Sequence, residues 1–592
     1  MKQNHRNKEP TMKADWEIAR DAEPQMKTAR ELGEALGLEP QEILPHGHYL
    51  AKLDYRKILT RLRDRSQGHY IDVTAITPTP LGEGKSTTTV GLIQGLGRLG
   101  KRVTGAIRQP SMGPIFNIKG SAAGGGYAQC VPLTEFSLGL TGDFDAIITA
   151  HNLGMVALTS RMQHEFNYGD QTLADKQLKR LNIDPRNLAT GWVIDLCAQS
   201  LREIVMGLGG KMDGFLTQSG FQIAVSSELM AILSVASDLA DLRQRVSRMI
   251  LAYDTAGKPV TTADLEVDGA MTALLVKALN PNLMQTLEGQ PVLVHAGPFA
   301  NIALGQSSIL ADRLGLKLAD YHVTESGFGA DIGYEKFWNL KCRFSGLRPS
   351  CAVIVATVRA LKMHGGGPAV TPGKTLDAAY TQSAPELVEK GLPNLLAHLE
   401  TVRLSGVPAV VCLNHFVSDS PEEVEVVRQA VEAAGARFAV SRHWELGGAG
   451  AEELAQVVLA ACEEASQFEF LYPETLPLNQ KIATIATKVY GASGVQFLPT
   501  AQAQLKKIEA DPVLSLYGTC MAKTHLSLSD NPALKGRPRD WELTVRELRV
   551  YQGAGFVVPV AGDIKLMPGT ASNPAYRRID VDTETGQVTG LF

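Results

Sequence analysis

The stretch T-P-T-P-L-G-E-G-K-S-T-T-T-V-G, residues 77–91, decides how this chain reads. It follows a β-branched apolar run, H-Y-I-D-V-T-A-I (residues 69–76), and leads into a helical pattern over residues 87–99. Strand, glycine-rich turn, Lys-Ser and helix together make a cradle for nucleotide phosphates. The glycines let backbone N–H groups approach phosphate oxygens, and the helix N-terminus adds the positive end of its dipole. On this reading Thr79, Pro80, Leu81, Gly82, Glu83, Gly84, Lys85 and Ser86 line ATP or GTP. Lys85 reaches the β- and γ-phosphates, and the Ser86 hydroxyl ligates the magnesium of the nucleotide. The pattern G-x-x-x-x-G-K-[ST] is broken at its first position, where Thr79 stands for glycine. An ordinary glycine-rich turn is the competing reading of the loop taken alone.

Outward from this loop, short β-branched runs alternate with helical segments. Candidate strands are residues 102–107, 144–149, 291–295, 321–324, 351–357, 408–413 and 437–441. Helical stretches at 226–251 and 422–434 fit crossover connections. The pattern implies a parallel sheet buried on both faces. The expected fold is α/β, a doubly wound, mostly parallel sheet of the P-loop NTPase type with two smaller C-terminal α/β domains. The expected division is 1–67 (tail and helical segment), 68–364 (nucleotide core), 365–480 (second α/β domain) and 481–592 (C-terminal domain). Residues 1–13 read as a disordered tail, 15–62 as helical with breaks at Pro40 and Pro45, and 365–375 as a linker or mobile loop.

Composition narrows the function. A net charge of −4 argues against nucleic-acid binding, which calls for a basic excess. Seven dispersed cysteines without a C-x-x-C pair read as reduced thiols and exclude a zinc site of ordinary spacing. The polar N-terminus lacks the apolar core of a signal peptide, and no apolar run reaches the ~20 residues of a membrane span. A cytoplasmic protein with no membrane partner is expected.

Two further segments carry chemistry. R-Q-P-S-M-G-P-I-F-N-I-K-G-S-A-A-G-G-G-Y, residues 108–127, places Arg108 just beyond a candidate strand, at the ligand edge of an open α/β sheet. A planar guanidinium there suits a carboxylate or phosphate. Lys119 adds a second charge, and Gly124, Gly125 and Gly126 add backbone donors, so this reads as an anion loop; a flexible loop is the plainer alternative. In T-G-D-F-D-A-I-I-T-A-H-N, residues 141–152, Asp143 is a candidate for positioning magnesium or, equally, a turn or capping carboxylate.

Several long strings occur together in one order. They are V-A-T-V-R-A-L-K-M-H-G-G (355–366), H-A-G-P-F-A-N-I-A (295–303), E-S-G-F-G-A-D-I-G-Y-E-K-F (325–337), C-M-A-K-T (520–524) and G-A-G-F-V-V-P-V-A-G-D-I (553–564). With them the chain resembles the formate–tetrahydrofolate ligases of the monofunctional bacterial type, from about residue 20 to the final G-L-F. The resemblance implies that formate attacks the γ-phosphate of magnesium-ATP, giving formyl phosphate and ADP. Tetrahydrofolate then takes the formyl group. Lys85 and Arg108 become the catalytic pair, Arg108 holding formate and then formyl phosphate. Phe416 and Trp444 become the folate-stacking aromatics, with Phe328 a third candidate. The resemblance also implies a homotetramer and a need for a monovalent cation, potassium or ammonium.

His295 and His364 read as core or loop histidines, with general-base roles the alternative. Lys362 reads either as an anion contact or as the partner of a buried carboxylate. The chain departs from the family pattern at Asn117 and Ser121, which replace glycines, and at Asp145, which replaces histidine. Asn117 tolerates left-handed backbone; Ser121 is harder to accommodate where backbone must approach a ligand. The rival readings are another P-loop ligase that phosphorylates a carboxylate, and a P-loop ATPase switch.

Overall fold

The computed structural model describes residues 13–120, 122–214, 216–370 and 375–591. Of the expected N-terminal tail, 1–12 lie outside the described residues, as do Ser121 and residues 371–374 of the expected 365–375 loop.

The large sheet is built from β1 (Ile43–His46), β2 (Leu50–Leu53), β3 (His69–Ala75), β4 (Val103–Ile107), β5 (Ala128–Val131), β6 (Asn282–Thr286), β7 (Pro291–Val294), β8 (Tyr321–Glu325), β9 (Cys351–Ala356), β10 (Ala409–Asn414) and β11 (Arg437–Ser441). The order is β1-β2-β6-β7-β4-β8-β3-β9-β10-β11, with β5 beside β6. From β7 to β11 every pairing is parallel; β1, β2, β5 and β6 extend the β7 edge with antiparallel pairings. The chain leaves β3 toward β4 and β7, returns to insert β8 between β4 and β3, and then runs outward through β9, β10 and β11. The path therefore diverges at the C-terminal end of β3, the position where open α/β sheets leave a crevice for ligands.

Alternation within the strands explains why both faces are covered. In β9, Cys351, Val353 and Val355 join one core while Ala352, Ile354 and Ala356 join another. This is the period-2 geometry of a strand buried on both sides. On the first face lie the helices Lys85–Arg98 and Glu452–Cys462, contributing Val90, Ile93, Leu96, Leu454 and Val458. On the second lie Val358–His364, Pro385–Arg403 and Pro421–Ala433. Each fully buried Val, Ile or Leu stabilises the layers by about 1.5–3 kcal/mol.

Four expectations change. Residues 144–149 are not a strand but the start of the helix Asp143–Asn167. The β-branched look of F-D-A-I-I-T is local, whereas Phe144, Ile147, Ala150, His151, Gly154, Met155 and Leu158 recur at helical spacing and are buried. Residues 226–251 are two helices, Glu228–Val235 and Leu239–Ser247, the second capped by Asp238 accepting from Asp241 N, followed by a strand from Ile250. Within 15–62, β1 and β2 form a hairpin, and Pro45 sits in the edge strand, where its missing N–H does no harm. A boundary after His364 would cut the sheet between β9 and β10, whose pairing is continuous from Ala352–Ala409 to Ala356–Leu413. The cores thus do not separate there.

Toward the C-terminus, residues from Tyr472 to Ala561 form a further apolar cluster. Its strand Phe556–Ala561 sends Val557 and Ala561 into that cluster, and Phe556, Val558 and Val560 into the core beneath the β7 side of the sheet. The described cysteines are free thiols, and no helix among the described residues is long and apolar enough to cross a membrane.

The helices Val358–His364 and Pro385–Arg403 touch through backbone. A Cβ on Gly391 would overlap the Leu361 carbonyl, and one on Gly365 would overlap the Leu387 carbonyl. Gly391→Ala gains up to ~1 kcal/mol in helix propensity but meets a carbonyl that cannot move aside cheaply. The expected net is a loss of about 1–3 kcal/mol in chemical denaturation; unchanged or raised stability would refute this close crossing.

Candidate active site

The loop after β3 is shaped by its own side chains. Gly82 and Gly84 have φ of 73° and 70°, a region that favours glycine. Thr79, standing where the pattern expects glycine, is buried and makes the turn itself. Its N–H and hydroxyl both donate to Glu83 Oε1, at 2.7 and 3.1 Å, and its Oγ1 accepts from Leu81 N at 3.3 Å. Asn414, at the end of β10, donates to the Glu83 carbonyl at 3.1 Å. Burial pushes the Glu83 carboxyl up to about 7, against the Thr79 donors and Lys85. The helix begins at Lys85, two residues earlier than the sequence pattern suggests.

Below this loop lies a residue the sequence reading did not single out. Glu325 ends β8 and is fully buried between the ends of β4 and β3. Its Oε2 accepts from Ser86 Oγ at 2.7 Å, and its Oε1 lies 3.5 Å from Arg108 Nε, an ion pair with no hydrogen bond to either atom. Lys85 Nζ donates to the Phe328 carbonyl at 3.2 Å, and Phe328 holds a left-handed φ of 64° to present it. Burial lowers the Lys85 ammonium, Glu325 resists, and Arg108 adds to the push. Lys119 is exposed to solvent along its side chain, and desolvation, with Arg108 and Lys85 nearby, draws its ammonium down to about 8. Arg108 thus faces the Glu325 carboxylate directly, and Lys85 and Lys119 lie near enough to feel it and one another, a grouping of cations suited to polyanions. The paired oxygens of Ser86 and Glu325 are hard donors of the kind magnesium prefers.

The glycine run packs against Trp444 and Asp15. A Cβ on Gly126 would strike the Trp444 carbonyl, and one on Gly125 would lie 3.6 Å from the Trp444 indole nitrogen. Gly126 N donates to Asp15 Oδ1 at 2.8 Å, and Tyr127 N to the Trp444 carbonyl at 2.9 Å. These glycines give Trp444 and Asp15 close access, and the Gly126 donor is already engaged. Asn117 keeps a negative φ of −99° and ties down the C-terminal segment, donating to Gly569 O at 2.9 Å and accepting from Ala571 N at 2.8 Å. Asp143 is likewise engaged: Lys52 Nζ (2.7 Å) and Asn282 Nδ2 (2.8 Å) hold it, pinning the start of the Asp143–Asn167 helix to β2 and β6. Asp145 is exposed in the first turn of that helix.

The aromatic candidates lie at or near the same sheet edge. Phe416, half-buried beyond β10, is held by its own N–H donating to Asp419 Oδ2 at 2.9 Å. Trp444 is 41% exposed, next to buried His443, which hydrogen-bonds Thr88 Oγ1 (3.2 Å) and Ser441 Oγ (2.7 Å). Phe328 has one face filled by His525, the rings 4.3 Å apart and 16° from parallel. His295 uses both nitrogens at 2.6 Å, on Ser308 Oγ and the Ala278 carbonyl, and burial lowers it to about 4. His364 bonds the Thr77 carbonyl (2.9 Å) and accepts from Gly536 N (3.3 Å). Lys362 pairs with buried Glu423 at 2.6 Å, the structural alternative of its two readings.

The model of the family described as formate–tetrahydrofolate ligase matches residues 13–592. Curated relatives bearing that name match end to end. The protein of Dehalococcoides mccartyi is 65% identical over 99% of this chain and 98% of its own. That of Desulforapulum autotrophicum is 63% identical over 99% of this chain and all of its own. That of Thermodesulfovibrio yellowstonii is 56% identical over 98% of this chain and all of its own.

Glu325→Gln keeps an acceptor for Ser86 and removes the charge facing Arg108. Breaking such a buried pair is expected to lower unfolding stability by about 3 kcal/mol in urea titration without nucleotide. A fall below about 1 kcal/mol would show that solvent already screens the cluster.

Proposed function

The chain belongs to the formate–tetrahydrofolate ligase family, and we propose that it joins formate to tetrahydrofolate at the expense of ATP by way of formyl phosphate. The observation that carries the site reading is Glu325 bridging Ser86, at the end of the glycine-rich loop, and Arg108, with Lys85 on the Phe328 carbonyl beside them. The β3–loop–helix unit is read as a P-loop, with residues 79–86 around the ATP phosphates. Ser86, backed by Glu325, would hold the magnesium of MgATP, which supplies charge neutralisation at the phosphates. Arg108 grips the formate carboxylate and orients one oxygen toward the γ-phosphorus. That oxygen bonds to phosphorus as the bridge to ADP breaks, and Lys85 and Arg108 stabilise the charge on the transferring group.

The formyl carbon is then open to the N10 amine of tetrahydrofolate. A C–N bond forms, the C–O bond to phosphate breaks, and the amine proton leaves to solvent. Phe416 and Trp444 supply stacking faces for the pterin, with Phe328 beside the phosphates. A homotetramer in the cytoplasm, using potassium or ammonium as a monovalent cation, is the reading that family likeness supports.

Purified protein is expected to release ADP from magnesium-ATP and yield acid-convertible methenyl product only with formate and tetrahydrofolate both present. Lys85→Ala and Arg108→Ala should each cost about 10²–10³-fold or more in turnover. ATP turnover indifferent to formate would instead leave a different P-loop ATPase.

The Lys119 ammonium is present below pH 8 and is lost above it. The KM for formate should therefore rise as pH passes 8. Lys119→Arg, whose charge does not titrate there, should flatten that rise; an identical profile in the variant would remove Lys119 from the anion site.

A further inference from the structure

The helix Val358–His364 carries the string V-R-A-L-K-M-H, and its polar side chains reach three separate elements. His364 bonds the Thr77 carbonyl at the root of the nucleotide loop, and Lys362 pairs with Glu423 in the helix Pro421–Ala433. Arg359 reaches the loop after β10. Its guanidinium carbon lies 4.3 Å from the centre of the Phe416 ring, and its Nη2 donates to Ser418 Oγ at 3.1 Å. Its Nε is buried without a hydrogen-bond acceptor. A residue kept only for packing would not need a charged fork with an unanswered donor, because Leu or Met fills such space without desolvating a charge. The ring face and the nearby Asp419 carboxylate are what answer the charge.

Phe416 is half-buried, and among the described residues no second ring covers it. With Arg359 on one face and Asp419 holding the backbone N–H, the ring is left little choice of orientation. We propose that Arg359 is a positioning residue for folate: it clamps one face of Phe416 so that the opposite face is presented to the pterin. A cation on the covered face also draws π-density away from the open one, which favours stacking against an electron-rich reduced pterin. This rests on the reading of Phe416 as a stacking residue, and it gives the 355–366 string a physical role, linking the folate aromatic to the nucleotide loop through one helix.

The test is steady-state kinetics on the full-length enzyme with Arg359→Met, Arg359→Lys, Ser418→Ala, Phe416→Ala and the Arg359→Met/Phe416→Ala double variant. Loss of the cation–π contact predicts a rise of about tenfold in KM for tetrahydrofolate in Arg359→Met. KM for ATP and for formate should stay within about twofold on the same footing. Arg359→Lys should recover part of the loss, and Ser418→Ala, which releases only the fork, should move the same KM by less. The double variant should be no worse than Phe416→Ala alone. Equal shifts in all three KM values, an unchanged KM for tetrahydrofolate, or multiplying effects in the double variant would overturn the proposal. If Arg359→Met does not fold, Arg359→Lys and Ser418→Ala carry the same test. An unchanged KM in Phe416→Ala would sink the folate-site reading itself, a result distinct from failure of the Arg359 variants alone.

Discussion

One buried carboxylate ties three elements together at the sheet edge. Glu325 brings Ser86, at the start of one helix, and Arg108, after a different strand, to a common point, because β8 is inserted between β3 and β4. Lys85, Arg108 and Lys119 repel one another there, and the Glu325, Glu83 and Asp72 carboxyls that face Lys85 offset that repulsion. The field of a cluster of cations at a sheet edge is suited to phosphate and carboxylate. The same field disfavours an apolar or cationic occupant, so selection of the ligand's charge is built in before any hydrogen bond is counted.

Around that point the loops are stiffened by local bonds, not left free. Glu83 folds back on Thr79, Asn414 holds the Glu83 carbonyl, and His364 and Asn394 fasten Thr77. Such over-determined loops hold donors in place before a ligand arrives, which is what transfer chemistry asks of a protein that does little bond-making itself.

The sheet was largely legible. Strands β3, β4 and β7 to β11 are short β-branched runs, and burial on both faces leaves that mark in any single stretch. Residues 144–149 misled because six residues fit a strand while the governing periodicity spans the whole helix Asp143–Asn167. Gly-Lys-Ser and Arg108 stood out in the sequence because loop chemistry and strand ends are local, and the structure brings Ser86 and Arg108 together at Glu325. Glu325 could not, since its importance depends on which strands are neighbours. Gly124–Gly126 could be read as needing close approach, but the partners, Asp15 and Trp444, are far away in the chain. Thr79 looked like a flaw in the pattern until Glu83 was seen to use it.

The ties that fasten Thr77 have a consequence for synthesis. Its loop is held by Asn394 and His364, and both of these also bond Gly536, whose N–H and carbonyl close the set. A chain emerging from the ribosome therefore makes the loop after β3 early but cannot lock it until nearly all of the polypeptide has been released. Until then the loop's strand and helix can form while the anchoring contacts, long in sequence separation, are still missing. Nascent and truncated chains should consequently lack the finished loop, whose anchoring waits on completion of the protein.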